Sequence, residues 1–418
     1  MLNSNTHYVI LGNGTAAVGV IEGIREVDKT GRITVISSEP YRVYGRPLIS
    51  YLLLGKTTEE KMLQYRCESF YEDNDVTLMA GYTVTGIDAS TKTLNLDDGS
   101  TVGYDKLCFC TGSRPFVPPM EGLDTVADKT SFMTLDDAKH LSALLGENGT
   151  KDVLIVGAGL IGLKCAEGIL NRAKSITVVD LAPRILPNVL DERGSALIQQ
   201  HIASKGVTFY LNNSVTHFEP HHATLQTGET LDFDILVVAV GVRPNTELAA
   251  EAGCKVERGI VIDHAGRTGV TDLYAAGDCT VSHDISADTD RILAILPNAY
   301  LQGETAGITM GGGNRPFDKA IPMNASGFMG LHMITAGSYD GDTYVEDEGD
   351  GNYKKLFWKD DRLRGFILIG NVDRAGIYTS LIRERTPLSS IDFDLIKERP
   401  QLMAFSRADR AKKLGGVH

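Results

Sequence analysis

Tyr8-Val9-Ile10-Leu11 runs straight into Gly12-Asn13-Gly14-Thr15-Ala16-Ala17. From Gly12 to Gly157, 145 positions on, the arrangement recurs: Val153-Leu154-Ile155-Val156 runs into Gly157-Ala158-Gly159-Leu160-Ile161-Gly162. An apolar strand, a Gly-x-Gly turn and a helical pattern in that order form a dinucleotide cradle. The first glycine permits the tight turn, and the second lets the backbone approach a pyrophosphate. A small third residue, Ala17 or Gly162, lets the helix pack on the strand. The helix start then offers free N–H groups and the positive dipole end to the phosphates. Two cradles in one chain predict an α/β protein that holds two dinucleotides facing each other and passes electrons between them.

Each cradle is followed by a second strand that ends near an acid. Arg32-Ile33-Thr34-Val35-Ile36 leads to Glu39, and Ser175-Ile176-Thr177-Val178-Val179 leads to Asp180. A carboxylate there accepts from ribose hydroxyls and repels a 2′-phosphate, so Asp180 favours NAD over NADP. Arg184, four residues later, works against that preference. Glu167 sits eight residues beyond Gly159 on the helix, either as a surface charge or as a group near the chemistry.

Two further segments end alike. Asp105 to Pro115 contains Thr111-Gly112-Ser113-Arg114-Pro115, and Asp234 to Asn245 contains Val240-Gly241-Val242-Arg243-Pro244-Asn245. Gly followed closely by Arg-Pro marks a chain reversal, so these are expected crossovers between domains. Thr271 to Cys279 is a short strand ending in Gly277-Asp278. Taken alone, Asp278 reads as a turn former more readily than as a ligand for a polyol. Pro297-Asn298 opens a helix, with proline suited to its first turn.

The 418-residue length predicts two or three domains. The net charge of -13, without a basic block, excludes nucleic acid as an expected partner. No apolar run is long enough for a membrane span, and the start of the chain lacks signal-peptide character. The six cysteines form no C-x-x-C pair and no iron–sulfur series. A reducing, cytoplasmic setting is expected, with no metal site, and any iron–sulfur cluster on another polypeptide.

From Phe317 onward the pattern changes to short strands. Tyr353–Lys359 and Leu363–Gly370 flank the turn Asp360-Asp361-Arg362, a hairpin signal. A helix is expected from Asn371 to about Arg385, and a charged helical segment from Ile391 to His418. Trp358 is expected in a core or an interface.

In combination these pieces resemble the two-dinucleotide-domain flavoproteins of the pyridine nucleotide-disulfide reductase superfamily. The resemblance is closest to the branch of NADH:rubredoxin reductases, ferredoxin reductases and the flavin-binding part of the nitrite reductase large subunit, and it covers nearly the whole chain. It implies two Rossmann-like domains of three-layer ββα type plus a smaller α+β C-terminal domain. Residues 1–115 and 245–316 would bind FAD, 116–244 would bind NAD, and 317–418 would form an interface domain. FAD would be held by Gly12, Gly14, Thr15, Ala16, Ala17, Glu39, Arg46, Pro47, Thr111, Gly112, Arg114, Gly277, Asp278, Pro297 and Asn298. NAD(H) would be held by Gly157, Gly159, Leu160, Ile161, Gly162, Asp180, Val240 and Gly241.

Arg46-Pro47 matches the segment that runs beside FAD in the family. Where thiol-relaying members carry a redox cysteine, Val43, Tyr44 and Gly45 stand here. Tyr51 occupies the place of a lysine found in oxygenase-type ferredoxin reductases, which leaves Glu167 as the candidate group on the nicotinamide side. The resemblance implies an FAD-dependent NAD(P)H oxidoreductase that exchanges electrons, in either direction, with a rubredoxin or ferredoxin-like iron–sulfur protein. It further implies a homodimer or a subunit of a redox complex. The alternatives are an NADH oxidase that uses oxygen and a flavin subunit of a larger assembly.

Overall fold

Strand His7–Leu11 is buried at every position, and its side chains alternate between two different layers, as the pleat requires. Tyr8 and Ile10 pack with Ala17, Val20, Ile21 and Ile24 of the following helix, while Val9 and Leu11 pack with Ile87, Leu94 and Leu96 of an antiparallel meander. The central sheet therefore has helices on one face and a second sheet on the other. The computed structural model that shows this describes residues 6–147, 149–349 and 351–414.

The central sheet is five-stranded and parallel, in the spatial order Leu273–Ala275, Lys106–Phe109, His7–Leu11, Arg32–Ser37, Val76–Ala80. The meander is Val84–Asp88, Thr93–Leu96 and Thr101–Gly103. A second five-stranded parallel sheet runs in the order Val207–Leu211, Ser175–Asp180, Asp152–Val156, Ile235–Val238, Lys129–Thr130. It too has a meander, Val215–Glu219, His222–Leu225 and Thr230–Asp232, whose Phe218, Ala223 and Leu225 share a core with Leu154, Val156 and Leu236. The two expected crossovers pair with each other as an antiparallel ribbon, Ser113–Pro115 on Val242–Pro244.

Helices Thr15–Val27 and Leu296–Met310 meet through small residues on both sides. A Cβ added at Gly19 would lie 2.3 Å from the Tyr300 carbonyl oxygen, and one at Gly303 would lie 2.1 Å from the Ala16 carbonyl oxygen. Gly23 and Gly307 repeat the contact one turn further along. Side chains at these positions would push the helices apart, at a cost of about 1–3 kcal/mol each.

The chain divides into two compact units. One comprises the described residues up to Pro187 with Ile202–Ser282 and Arg291–Phe317; it holds both parallel sheets. The other comprises Asn188–His201, His283–Asp290 and the described residues from Asp318 onward. Its antiparallel sheet runs Met323–Phe328, Leu331–Gly337, Arg362–Ile369, Tyr353–Lys359, Asp342–Asp347. Helix Ala375–Arg383 covers this sheet through Tyr378, Leu381 and Ile382 against Phe366 and Leu368.

Three details of this second unit differ from the sequence expectation. The hairpin turn is only Asp360-Asp361, both left-handed at φ 52 and 58, so Arg362 already belongs to the strand. Two left-handed residues match the twist of the flanking strands. The helix begins at Ala375 rather than near Asn371, because Arg374 at φ 62 interrupts the helical path. The segment from Ile391 is two α-helices, Phe393–Glu398 and Arg407–Leu414, with the 3-10 turn Leu402–Ala404 between them. Pro400 ends the first by restricting the residue before it; positions 415–418 lie outside the described residues.

Segment Asn188–His201 lies inside the stretch 116–244 by sequence, yet its polar contacts are with the antiparallel sheet. Tyr339 donates to the Val189 carbonyl at 2.6 Å, Asp191 accepts from Tyr353 at 2.7 Å and Lys355 at 2.9 Å, and Arg193 pairs with Asp347 at 2.6 Å. Among the described residues no helix is long and apolar enough to cross a membrane.

Candidate functional site: two glycine cradles and the crossover between them

At the first turn Gly12 adopts φ 100, and a Cβ there would sit 2.2 Å from the Cys110 carbonyl oxygen. Only glycine meets both demands. Gly14 caps helix Thr15–Val27 in an extended conformation, and a Cβ at Gly14 would have nothing within 4 Å. The space before the helix's free N–H groups is open, as an anion bound at a helix start requires. Gly277 closes the cradle from the side: its Cβ would lie 2.9 Å from the Ala16 Cβ and 3.5 Å from the Ala299 Cβ. Its N–H donates to Gln302 Oε1 at 2.9 Å, which fixes the turn that presents Asp278. The starts of helices Thr15–Val27 and Leu296–Met310 therefore converge on the Gly277-Asp278 turn. Pro297 stands in the first turn of the second helix, and Asn298 is buried.

Asp278 is half-buried. Burial holds its carboxyl above the ordinary carboxylate range, and the charge of Arg46 opposes that rise. Arg46 also pairs with Glu39 and donates to the Met133 carbonyl at 3.1 Å. Glu39 has both oxygens engaged: Oε1 by Arg46, Oε2 by the Tyr44 hydroxyl at 2.6 Å. Tyr44 in turn accepts from the Leu135 N–H at 3.0 Å. Sequence reasoning placed Glu39 and Arg46 side by side with one ligand; the structure joins them to each other and recruits Tyr44.

Asn13, silent in the sequence reading, ties the cradle to its surroundings. Its Nδ2 donates to the Tyr41 carbonyl at 3.2 Å, and its Oδ1 accepts from Tyr71 at 2.8 Å. The Tyr71 hydroxyl accepts from the Val43 N–H at 3.1 Å. Asn13 therefore holds the 41–46 segment against the glycine turn.

Thr111 and Gly112 stand at the crossover. Asn245 donates its backbone N–H to the Gly112 carbonyl at 3.0 Å, and its Oδ1 accepts from Arg114 at 2.7 Å. Arg114 also pairs with Glu247. Arg114 is thus turned to the crossover ribbon by two partners of its own chain.

The second cradle repeats the first. Gly157 has φ 119 with a Cβ position 2.3 Å from the Ala239 carbonyl oxygen, and Gly159 caps helix Leu160–Ile169 with nothing within 4 Å of its own. A Cβ at Gly162 would meet the Gly157 carbonyl oxygen at 2.0 Å, so the third glycine is required by packing. Asp180 accepts from the Ala158 N–H at 2.6 Å and the Ala182 N–H at 2.7 Å. These bonds aim the carboxylate at the cradle. Val240 and Gly241 are exposed beside it, and Arg184 donates to the Pro187 carbonyl at 3.4 Å.

Glu167 is buried and pairs with Lys164 on the same helix. The Lys164 ammonium lies 4.8 Å from the centre of the Tyr51 ring. Lys164 is a residue the sequence reading missed; its i, i+3 spacing from Glu167 was the available signal.

Cys108, Cys110, Cys165, Cys254 and Cys279 are buried free thiols, and Cys67 is exposed. Burial pushes the Cys110 thiol well above its ordinary value and the Cys279 thiol up to about 12, far from a reactive thiolate.

Comparison with known proteins agrees with this geometry. Residues 6–303 match the family described as pyridine nucleotide-disulphide oxidoreductase, and residues 322–386 match the rubredoxin NAD+ reductase C-terminal domain. The NADH-dependent phenylglyoxylate dehydrogenase subunit epsilon of Aromatoleum evansii is 31% identical, over 93% of this chain and 94% of that protein. Nitrite reductase [NAD(P)H] of Bacillus subtilis is 30% identical over 91% of this chain, which spans only 48% of that larger relative. A covalent putidaredoxin reductase–putidaredoxin complex superposes with a TM-score of 0.87 at 24% identity, covering 99% of this chain and 100% of that one; it shares the fold. Two glycine cradles joined by a paired crossover, with this match over most of the length, place the chain in the pyridine nucleotide-disulphide oxidoreductase family, whose members use FAD and NAD(H).

Proposed function

We propose that this oxidoreductase moves electrons between NAD(H) and a separate iron–sulfur carrier of rubredoxin or ferredoxin type. Residues 1–115 and 245–316 serve as the FAD half, 116–244 as the NAD half and 317–418 as an interface domain. The Gly12 and Gly277 turns hold the FAD pyrophosphate and ribityl region, with Arg46 supplying positive charge. The Gly157 turn holds NAD(H), and Asp180 selects the unphosphorylated ribose. Bound together, the two cofactors supply hydride transfer between nicotinamide and flavin and the flavin's ability to divide an electron pair. The chain's own residues bind, orient and shield them. The start of helix Leu296–Met310, fixed against the Gly277 turn, turns its positive dipole end toward the same cradle.

The observation that carries this reading is Tyr44. With Val43 and Gly45 it occupies the stretch where thiol-relaying relatives carry a redox cysteine, and its hydroxyl is committed to Glu39 and Leu135. With no cysteine in that stretch, and with burial raising the Cys110, Cys165, Cys254 and Cys279 thiols above their ordinary range, the reading sends electrons to an external acceptor. The rubredoxin-reductase description of residues 322–386 supports the carrier class. A second reading, a flavin subunit working inside a larger cytoplasmic redox complex, is favoured by the relative whose name is that of a subunit. A homodimer is the expected state outside such a complex.

The test has an anaerobic arm, for flavin uptake, bleaching and carrier reduction, and an aerated arm, for oxygen consumption. The purified protein should take up FAD, bleach on addition of NADH, and pass electrons to an added rubredoxin or ferredoxin faster than to oxygen. Oxygen consumption that outpaces carrier reduction would overturn the carrier reading in favour of an oxidase. Protein that takes up no flavin would overturn the assignment of both cradles.

A further inference from the structure

Strand Ser175–Asp180 of the second cradle runs into the loop Leu181–Pro187, which is tied back to Ala158 of the glycine turn. Leu186 donates its N–H to the Ala158 carbonyl at 3.0 Å, while the Ala158 N–H is bonded to Asp180. Both backbone polar groups of Ala158 are thus engaged. Leu186 is buried and left-handed at φ 49. A leucine keeps that conformation only where its surroundings impose it.

At the far end of the loop stands a clasp. Directly after Pro187 the chain enters the compact unit of the antiparallel sheet. There Tyr339 holds the Val189 carbonyl, and Asp191 has both oxygens taken. Its Oδ1 accepts from the Gly194 N–H at 2.9 Å, as a helix N-cap does, and its Oδ2 accepts from Tyr353 and Lys355. Helix Glu192–Ala203 needs only the first of these bonds. The side chains of Asp191 and Lys355 are 20% and 22% exposed. Burying an ion pair to that extent costs desolvation that its attraction offsets only in part. Fixing where the loop ends accounts for the pair better than stability does.

We propose that Asp191 is a positioning residue for the second cradle. Gripped by Tyr353 and Lys355, it fixes the far end of the Leu181–Pro187 loop. Leu186 then stays on the Ala158 carbonyl, and Ala158 keeps Asp180 turned to the nucleotide. The inference rests on the NAD(H) reading above. Its consequence is reciprocal: a clasp that favours nucleotide binding is itself favoured by bound nucleotide.

The experiment uses the FAD-loaded protein. Tyr353→Phe and Lys355→Met should each raise the NAD+ dissociation constant, read by calorimetry, about tenfold. The KM for NADH, with ferricyanide as acceptor, should rise with it, and kcat should change far less. The kcat/KM preference for NADH over NADPH should narrow, because loosening Asp180 penalises the nucleotide whose ribose it accepts from. Lys359→Met breaks an exposed pair with Asp340 in the same unit and should change none of these values. In the wild type, NAD+ should slow amide hydrogen exchange at 189–195 and 353–355, a measurement that needs no variant to fold. Unchanged affinities in both variants, an equal rise in Lys359→Met, or exchange there that ignores NAD+ would overturn the inference and leave the NAD(H) reading standing. Wild-type protein that binds FAD but no NAD+ overturns both.

Discussion

The Thr111 hydroxyl donates to the Asn245 carbonyl at 2.6 Å, and the Asn245 side-chain amide donates back to the Thr111 carbonyl at 2.8 Å. This reciprocal pair locks the two crossovers across 134 positions of sequence, beside the turn expected to touch FAD. Asn245→Ala leaves the Thr111 carbonyl without that donor, a loss of about 1–3 kcal/mol. The expected outcome is a lower melting temperature and faster flavin release. Thermal melts with and without FAD, together with flavin recovered by ultrafiltration, check it; unchanged retention would remove Asn245 from the support of the cradle.

The two glycines of the first turn should fail in different ways. Gly14→Val meets no protein atom near its Cβ, so the protein should fold and melt normally but lose FAD through occlusion of the pyrophosphate. Gly12→Val forces a side chain onto the Cys110 carbonyl at positive φ and should destabilise the fold itself. Flavin absorbance per protein and the melting curve of each variant separate the outcomes. A Gly14→Val protein with normal flavin affinity would refute the pyrophosphate assignment.

Asp180→Ser should narrow the preference for NADH over NADPH, measured as the ratio of kcat/KM values. Asp180 also accepts two backbone N–H groups, so the substitution loosens the cradle and should raise KM for both nucleotides. An unchanged ratio would count against a ribose contact.

His7 makes acid stability testable. Its Nδ1 faces Arg32 at 2.6 Å and its Nε2 faces Thr34 at 2.9 Å. A guanidinium only donates, so Nδ1 must accept and the neutral ring carries its proton on Nε2. Burial first, then the Arg32 charge, lower the pKa from 6.5 to about 4. A folded-state value below the unfolded one means the contribution is full above pH 6.5 and is lost as pH falls toward 4. That shift is on the order of 3 kcal/mol. His7→Gln can still accept from Arg32 and donate to Thr34, so its melting temperature should decline less between pH 6.5 and 4 than that of the wild type. Parallel declines would show that His7 does not titrate there.

Much of the architecture was legible before any tertiary contact. The apolar strands, the φ-permissive glycines and the proline-started helix Leu296–Met310 all stand where the chain pattern put them; the two crossover segments were legible one by one, but not their pairing as Ser113–Pro115 on Val242–Pro244. The C-terminal hairpin was legible too, apart from its turn length. Less legible were the partners of the charged residues. Glu39 was identified as an acid at a strand end, but its bonds to Arg46 and Tyr44 depend on how the 41–46 segment folds back. The small-residue seam of Gly19 and Gly23 with Gly303 and Gly307 escaped notice because each half is an ordinary spacing until the helices meet.

The sequence by itself determined the two cradles, their acids and the missing cysteine. These are properties of backbone sterics and of residues a few positions apart, and such constraints act locally. Only the tertiary structure decided that Asn13 anchors the first turn, that Asn245 clasps Thr111, and that Lys164 lies over the Tyr51 ring. It alone assigned Asn188–His201 to the compact unit of the antiparallel sheet. These depend on side-chain hydrogen bonds and charges whose partners are chosen by packing, and nothing in local spacing specifies which distant group packing brings within 3 Å.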